Sequence, residues 1–114
     1  VTSWNNISGG ISNFVSTAGT WFHVALSYSS STMKVYKNAV LERSQTNYTA
    51  VDGPYSRHTI GQSSFSGGEH FNGNITDFRI YSRELSLTEI ENISKSLLEN
   101  KKRYQKLTSF SQVN

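Results

Sequence analysis

Cysteine is absent from this 114-residue sequence, proline and methionine each occur once, and only 17% of the residues are charged. Without cysteine there is no disulfide staple, no thiol nucleophile and no thiolate metal site, so packing alone must hold the fold. No apolar run approaches the roughly 18 residues of a membrane span, and no charged-then-apolar leader opens the chain, so neither is expected here. Hydrophobic residues are also scarce, at 35%. In their place serine (19), threonine (10) and asparagine (10) fill 39 of the 114 positions. That composition suits an all-β domain with many polar turns better than a helical bundle, and the scarcity of proline argues against disorder. The length is that of one domain.

The formal net charge is +3, but the excess lies at one end. Residues 1–94 carry six basic and seven acidic side chains, a net of −1. Residues 95–114 carry Lys95, Lys101, Lys102, Arg103 and Lys106 against Glu99 alone, a net of +4. A nearly neutral body gives no electrostatic reason to expect nucleic acid as a partner. The five tail cations suit the C-terminal half of a helix, and they are also the candidates for contact with a polyanion, an acidic lipid surface or an acidic partner.

Hydrophobic alternation identifies the elements. Within Trp4 to Val15, apolar residues interrupted by Asn5-Asn6 and Gly9-Gly10 suggest one or two short strands with turns. From Trp21 to Tyr28 the chain alternates, with Phe22, Val24, Leu26 and Tyr28 on one face and Trp21, His23, Ala25 and Ser27 on the other. One face is strongly apolar and the other weakly polar, as expected of an interior strand in a layered sandwich. The serines at 29–31 turn it into a second strand at Met33 to Lys37, and Val40-Leu41 starts a third. Short strands are expected at His58 to Gly61 and from Phe71 to Ile80, where the three-residue step from Ile75 to Phe78 implies a bulge or a change of facing. Ser86-Leu87-Thr88-Glu89 fits a capping box, and Ile90, Ile93, Leu97 and Tyr104 supply the apolar stripe of a helix that reaches about Tyr104 before a frayed end.

Six segments then occur in a telling order: Trp21-Phe22-His23-Val24-Ala25, Val35-Tyr36-Lys37-Asn38, Thr59-Ile60-Gly61, Phe71-Asn72-Gly73-Asn74-Ile75, Phe78 to Ser86, and Glu89-Ile90. The succession resembles the C-terminal two-thirds of the laminin G-like jelly-roll domains of the concanavalin A-like lectin/glucanase superfamily. The resemblance implies an antiparallel two-sheet β-sandwich followed by a helix, with residues 1–94 as the sandwich and 95–114 as a basic helical extension. Two departures stand out. The hairpin turn that tends to carry Asp-Gly in the family is Asn38-Ala39 here, and only twenty residues precede the tryptophan strand. The N-terminal strands of the family are therefore expected to be missing, leaving a shortened sandwich or one completed by another chain or segment.

β-Glucan-cleaving enzymes on this fold place a glutamate, aspartate, glutamate run on one strand, setting acid and nucleophile about 5 Å apart. No such run occurs here, and an enzyme is not expected. Some relatives bind calcium, but Asp52 and Glu69 are the acids in candidate loops and lie far apart in sequence, so no cofactor is assigned. His23, His58 and His70 lack the spacing of a helical zinc site. Four glycosylation triplets, at Asn6, Asn47, Asn74 and Asn92, little exceed what this composition yields by chance. Sugar rings stack on aromatic faces flanked by amides and hydroxyls. Trp4, Asn5, Asn47, Tyr48, Asp52, Tyr55, Arg57 and His70 have that makeup and are the candidate ligand contacts, although turn and packing roles explain each one singly. The expected function is lectin-like recognition of a glycan or glycoprotein at an extracellular, cell or virion surface. The alternative is a structural module making protein contacts in a larger surface, viral or fibrous assembly.

Overall fold

The computed structural model describes residues 18–47, 59–62 and 70–111, with side chains through residue 103. The chain divides into two compact units, Val1–Ala50 with Arg83–Asn114, and Val51–Ser82.

In the first unit, β1 (Val24–Ser29), β2 (Thr32–Lys37) and β3 (Val40–Gln45) form an antiparallel sheet in the order β1-β2-β3. Both connections are two-residue hairpins whose central residues are left-handed: Ser30 and Ser31 (φ 48° and 62°) and Asn38 and Ala39 (φ 49° and 64°). These mirror-image turns match the right-handed twist of the flanking strands, which is why so short a connection closes each pair. Asn38 suits its turn doubly. Its backbone N–H donates to the His23 carbonyl at 2.9 Å, and its Oδ1 accepts the His23 N–H at 2.9 Å, extending the β1–β2 ladder by one more pair.

Residues opposite one another share a face of the sheet. The register places Val24, Leu26 and Tyr28 with Lys37, Val35 and Met33 on one face, and Ala25, Ser27 and Ser29 with Tyr36, Lys34 and Thr32 on the other. Between β2 and β3 the register skips Glu42, so Arg43 opposes Val35 while Leu41 opposes Tyr36. A bulge of this kind sends Leu41 and Arg43 to opposite faces in spite of their even spacing. The central strand holds the buried Val35 and Tyr36. β1, expected as an interior strand, is an edge strand among the described residues. The strand itself begins at Val24, with Trp21 and Phe22 preceding the His23–Asn38 pair. The described strands make one sheet; the second sheet expected of a sandwich is not among them.

The helix α1 (Leu87–Ser111) begins where the capping box places it and continues seven residues beyond Tyr104. Ser86 and Glu89 exchange the two bonds that define the motif: the Glu89 N–H donates to Ser86 Oγ at 3.2 Å, and the Ser86 N–H donates to Glu89 Oε2 at 2.8 Å. Ile90 and Ser94 are buried, Leu97 and Lys101 half-buried, and these four recur at spacings of four, three and four along one stripe. The helix runs unbroken through position 94, the expected junction of sandwich and extension. No described helix is long and apolar enough to cross a membrane.

In the second unit, the strand expected at 58–61 is replaced by a turn over its described residues. Thr59 Oγ1 donates to the Gln62 carbonyl at 2.6 Å, and Gly61 is left-handed (φ 76°). Gln62 then forms a single antiparallel bridge with His70, and the Phe71 N–H donates to the Gly61 carbonyl at 2.7 Å. The stretch from Phe71 to Ile80 carries no strand ladder among the described residues. Asp77, left-handed at φ 55°, interrupts it between Ile75 and Phe78, where the three-residue step implied a change of facing.

Candidate functional site

Two of the eight candidate ligand contacts, Asn47 and His70, fall among the described residues. Asn47 is exposed and left-handed (φ 57°) just after β3, in the first unit. His70 is exposed at its bridge with Gln62, in the second. Trp4, Asn5, Tyr48, Asp52, Tyr55 and Arg57 lie outside the described residues.

The feature that the sequence did not single out is the face of the β1–β3 sheet that carries Val24, Leu26 and Tyr28. Leu26 is 58% exposed and Val40, on the same face, 62%. Val35 is buried among them at 3%. Lys37 closes one end of this face, with its ammonium 5.2 Å from the centre of the Phe22 ring. The face is thus an apolar strip with an aromatic ring, Tyr28, toward one end and a cation–aromatic pair at the other. Alternation identified which residues share this face, but not that Val24, Leu26 and Val40 on it are exposed while Val35 is buried. The opposite face holds the small Ala25 and the buried Ser27.

The tail cations separate into two sets. Lys101 lies on the stripe shared with Ile90, Ser94 and Leu97, and its ammonium stands 4.4 Å from the centre of the Trp21 ring, where the ring face attracts a cation. Lys95, Lys102 and Arg103 are exposed on the other side of α1. There Glu91 precedes Lys95 by four residues and Glu99 precedes Arg103 by four, a spacing that offsets positive charge locally. Lys106 lies on α1 beyond the described side chains. The spacing 90, 94, 97, 101 was the signal that could have separated Lys101 from its neighbours.

Two ion pairs among the described residues hold local structure. Arg83 grips Glu89 with two bonds, at 2.8 and 2.9 Å, while Ser86 donates to the same carboxylate. The Arg83 guanidinium first, and the Ser86 N–H second, hold the Glu89 carboxyl down at about 2. Arg79 forms a two-bond pair with Asp77, at 2.5 and 3.0 Å, and this partner raises its guanidinium above the ordinary range. The pair ties the left-handed Asp77 to the residue two positions on and helps to fix its turn. Among the described residues, no three histidine, aspartate or glutamate side chains converge as metal ligands.

Comparison with known proteins places these elements in a family. No curated protein matches the chain. A solved structure does: residues 221–444 of an S-layer domain-containing protein from Clostridium thermocellum, with 30% sequence identity and a TM-score of 0.61. The similarity covers 70% of this chain and 42% of that one, so the chain corresponds to less than half of its structural neighbour. The laminin G-like family model matches residues 2–91, spanning the two hairpins, the Asp77 turn and the capped start of α1. The chain therefore belongs to the concanavalin A-like lectin/glucanases superfamily.

Proposed function

We propose that the chain is a non-catalytic recognition module that binds carbohydrate or glycoprotein at a cell or particle surface. The observation that carries the reading is the family match over residues 2–91. A surface-layer domain protein as structural neighbour supports the location. The superfamily also contains glucanases, but the glutamate, aspartate, glutamate run that such chemistry uses does not occur in this sequence. Of the acids near the family's signature segments, Asp77 is committed to Arg79 and Glu89 to Arg83 and Ser86, which supports structural duties for both. Trp4, Asn5, Asn47 and Tyr48 in the first unit, and Asp52, Tyr55, Arg57 and His70 in the second, remain the proposed sugar contacts, each taken within its own unit. A glycan array probed with the chain, with and without calcium, tests the reading: a reproducible set of bound sugars is expected, and silence across the array under both conditions would overturn it.

A second reading, an assembly module within a surface structure, is favoured by one observation. Val24, Leu26 and Val40 are all exposed on one face of the sheet, around Lys37 of the central strand, and exposed apolar side chains gathered on one face suit a protein contact. Sedimentation separates the two readings. A monomer over a wide concentration range favours glycan recognition, whereas association that is lost in Leu26→Lys favours assembly.

A further inference from the structure

We infer that Asn72 is a site of spontaneous covalent modification, at which the side-chain amide is lost through a cyclic imide formed with the backbone of Gly73. Asn72-Gly73 is the one Asn-Gly pair in the sequence. Asn72 is exposed and lies outside any helix or strand, and no hydrogen bond holds its carboxamide among the described residues. Gly73 has no side chain to obstruct the approach of its own nitrogen to the preceding side chain.

In the ring-forming step the Gly73 backbone nitrogen attacks Cγ of Asn72. A carbon–nitrogen bond forms, the bond from Cγ to Nδ2 breaks, and ammonia leaves with the proton given up by the Gly73 amide. Water then opens the five-membered imide. Attack at the side-chain carbonyl gives aspartate, and attack at the main-chain carbonyl gives isoaspartate, which lengthens the backbone by one carbon. Either product adds a negative charge.

The other asparagines with described surroundings set the contrast. Asn38 precedes Ala39, and its Oδ1 already accepts the His23 N–H in a tight turn. Asn92 and Asn100 are held in α1. Asn74 precedes the β-branched Ile75, and Asn47 precedes Tyr48. The labile pair is also tied to local packing: a Cβ at Gly73 would stand 2.9 Å from Phe71 Cε1 and 3.3 Å from Cζ, so a larger residue requires the ring to swing aside. The glycine that lets the Phe71 ring lie close is the same glycine that exposes Asn72 to attack.

The test is peptide mass mapping of the full chain after storage in mildly alkaline buffer, with isoaspartate scored by enzymatic methylation. Asn72 is expected to convert faster than Asn74 or Asn47, giving both aspartate and isoaspartate. Asn72→Gln should abolish the signal, and Gly73→Ala should slow it with an unchanged far-ultraviolet spectrum. Equal conversion at Asn72 and Asn74, product without isoaspartate, or undiminished conversion in Gly73→Ala would overturn the assignment. If Gly73→Ala alters the spectrum, the comparison of Asn72 with Asn74 in the unaltered chain decides alone.

Discussion

Ala39 occupies a position that ordinarily goes to glycine. Its φ of 64° lies in the left-handed region, where a Cβ crowds the following carbonyl and costs about 1 kcal/mol. Ala39→Gly should therefore raise thermal stability by up to about 1 kcal/mol, less the chain entropy that glycine adds to the unfolded state. A thermal melt checks it, and a lower midpoint would show that the turn is not strained. The Asp-Gly of the family and the Asn-Ala here meet the same backbone demand. Asn38 compensates with a side-chain bond to His23 that a turn without it would lack. Glu89 makes a second residue-scale prediction. Its carboxyl is held at about 2 in the folded chain against an ordinary 4.5, so the stabilisation is fully present above pH 4.5 and disappears as pH falls from 4.5 toward 2. Glu89→Gln should flatten the stability profile across that window, measured by chemical denaturation at several pH values. An unchanged slope would mean that the Arg83–Glu89 pair is not maintained in solution.

The start of α1 was legible because a capping box is a local device: Ser86 and Glu89 need only each other and three residues of backbone. Ser86→Ala should cost about 1 kcal/mol, and Ile90→Ala, at a residue only 2% exposed, about 2–5 kcal/mol. Lys102→Ala, on the exposed side, should stay within about 0.5 kcal/mol. Denaturant unfolding of the three variants tests the orientation of the helix. A cost at Lys102 that matched the one at Ile90 would contradict it. The two hairpins were legible too, since alternation marks strands and the short gaps at Ser30-Ser31 and Asn38-Ala39 leave room only for a tight turn. The Phe71 to Ile80 stretch was less so. Its composition is that of a strand, but the conformation turns on a single residue, Asp77, whose left-handed backbone and bonds to Arg79 are not signalled by its type alone. Lys101 was grouped with its basic neighbours by charge, whereas its place on the Ile90, Ser94, Leu97 stripe sets it against Trp21.

For the whole molecule, sequence order proved more informative than any single motif. Six unspecific segments in succession, over residues 21–90, pointed to the superfamily to which the chain belongs, and the family model extends the match to residues 2–91. The site was less legible, for a physical reason. Alternation says which side chains share a sheet face but not which of them are covered, and Val24, Leu26 and Val40 are exposed on the face where Val35 is buried. Sugar-binding aromatics and packing aromatics are the same residue types, so Trp4, Tyr48 and Tyr55 cannot be sorted by composition. The central claim, recognition without catalysis, comes down to one measurement: isothermal titration of the chain with its best array glycan, followed by analysis of the recovered sugar. Saturable heat with the glycan returned intact is the predicted result. A shortened glycan, or no heat at any concentration, would contradict the account.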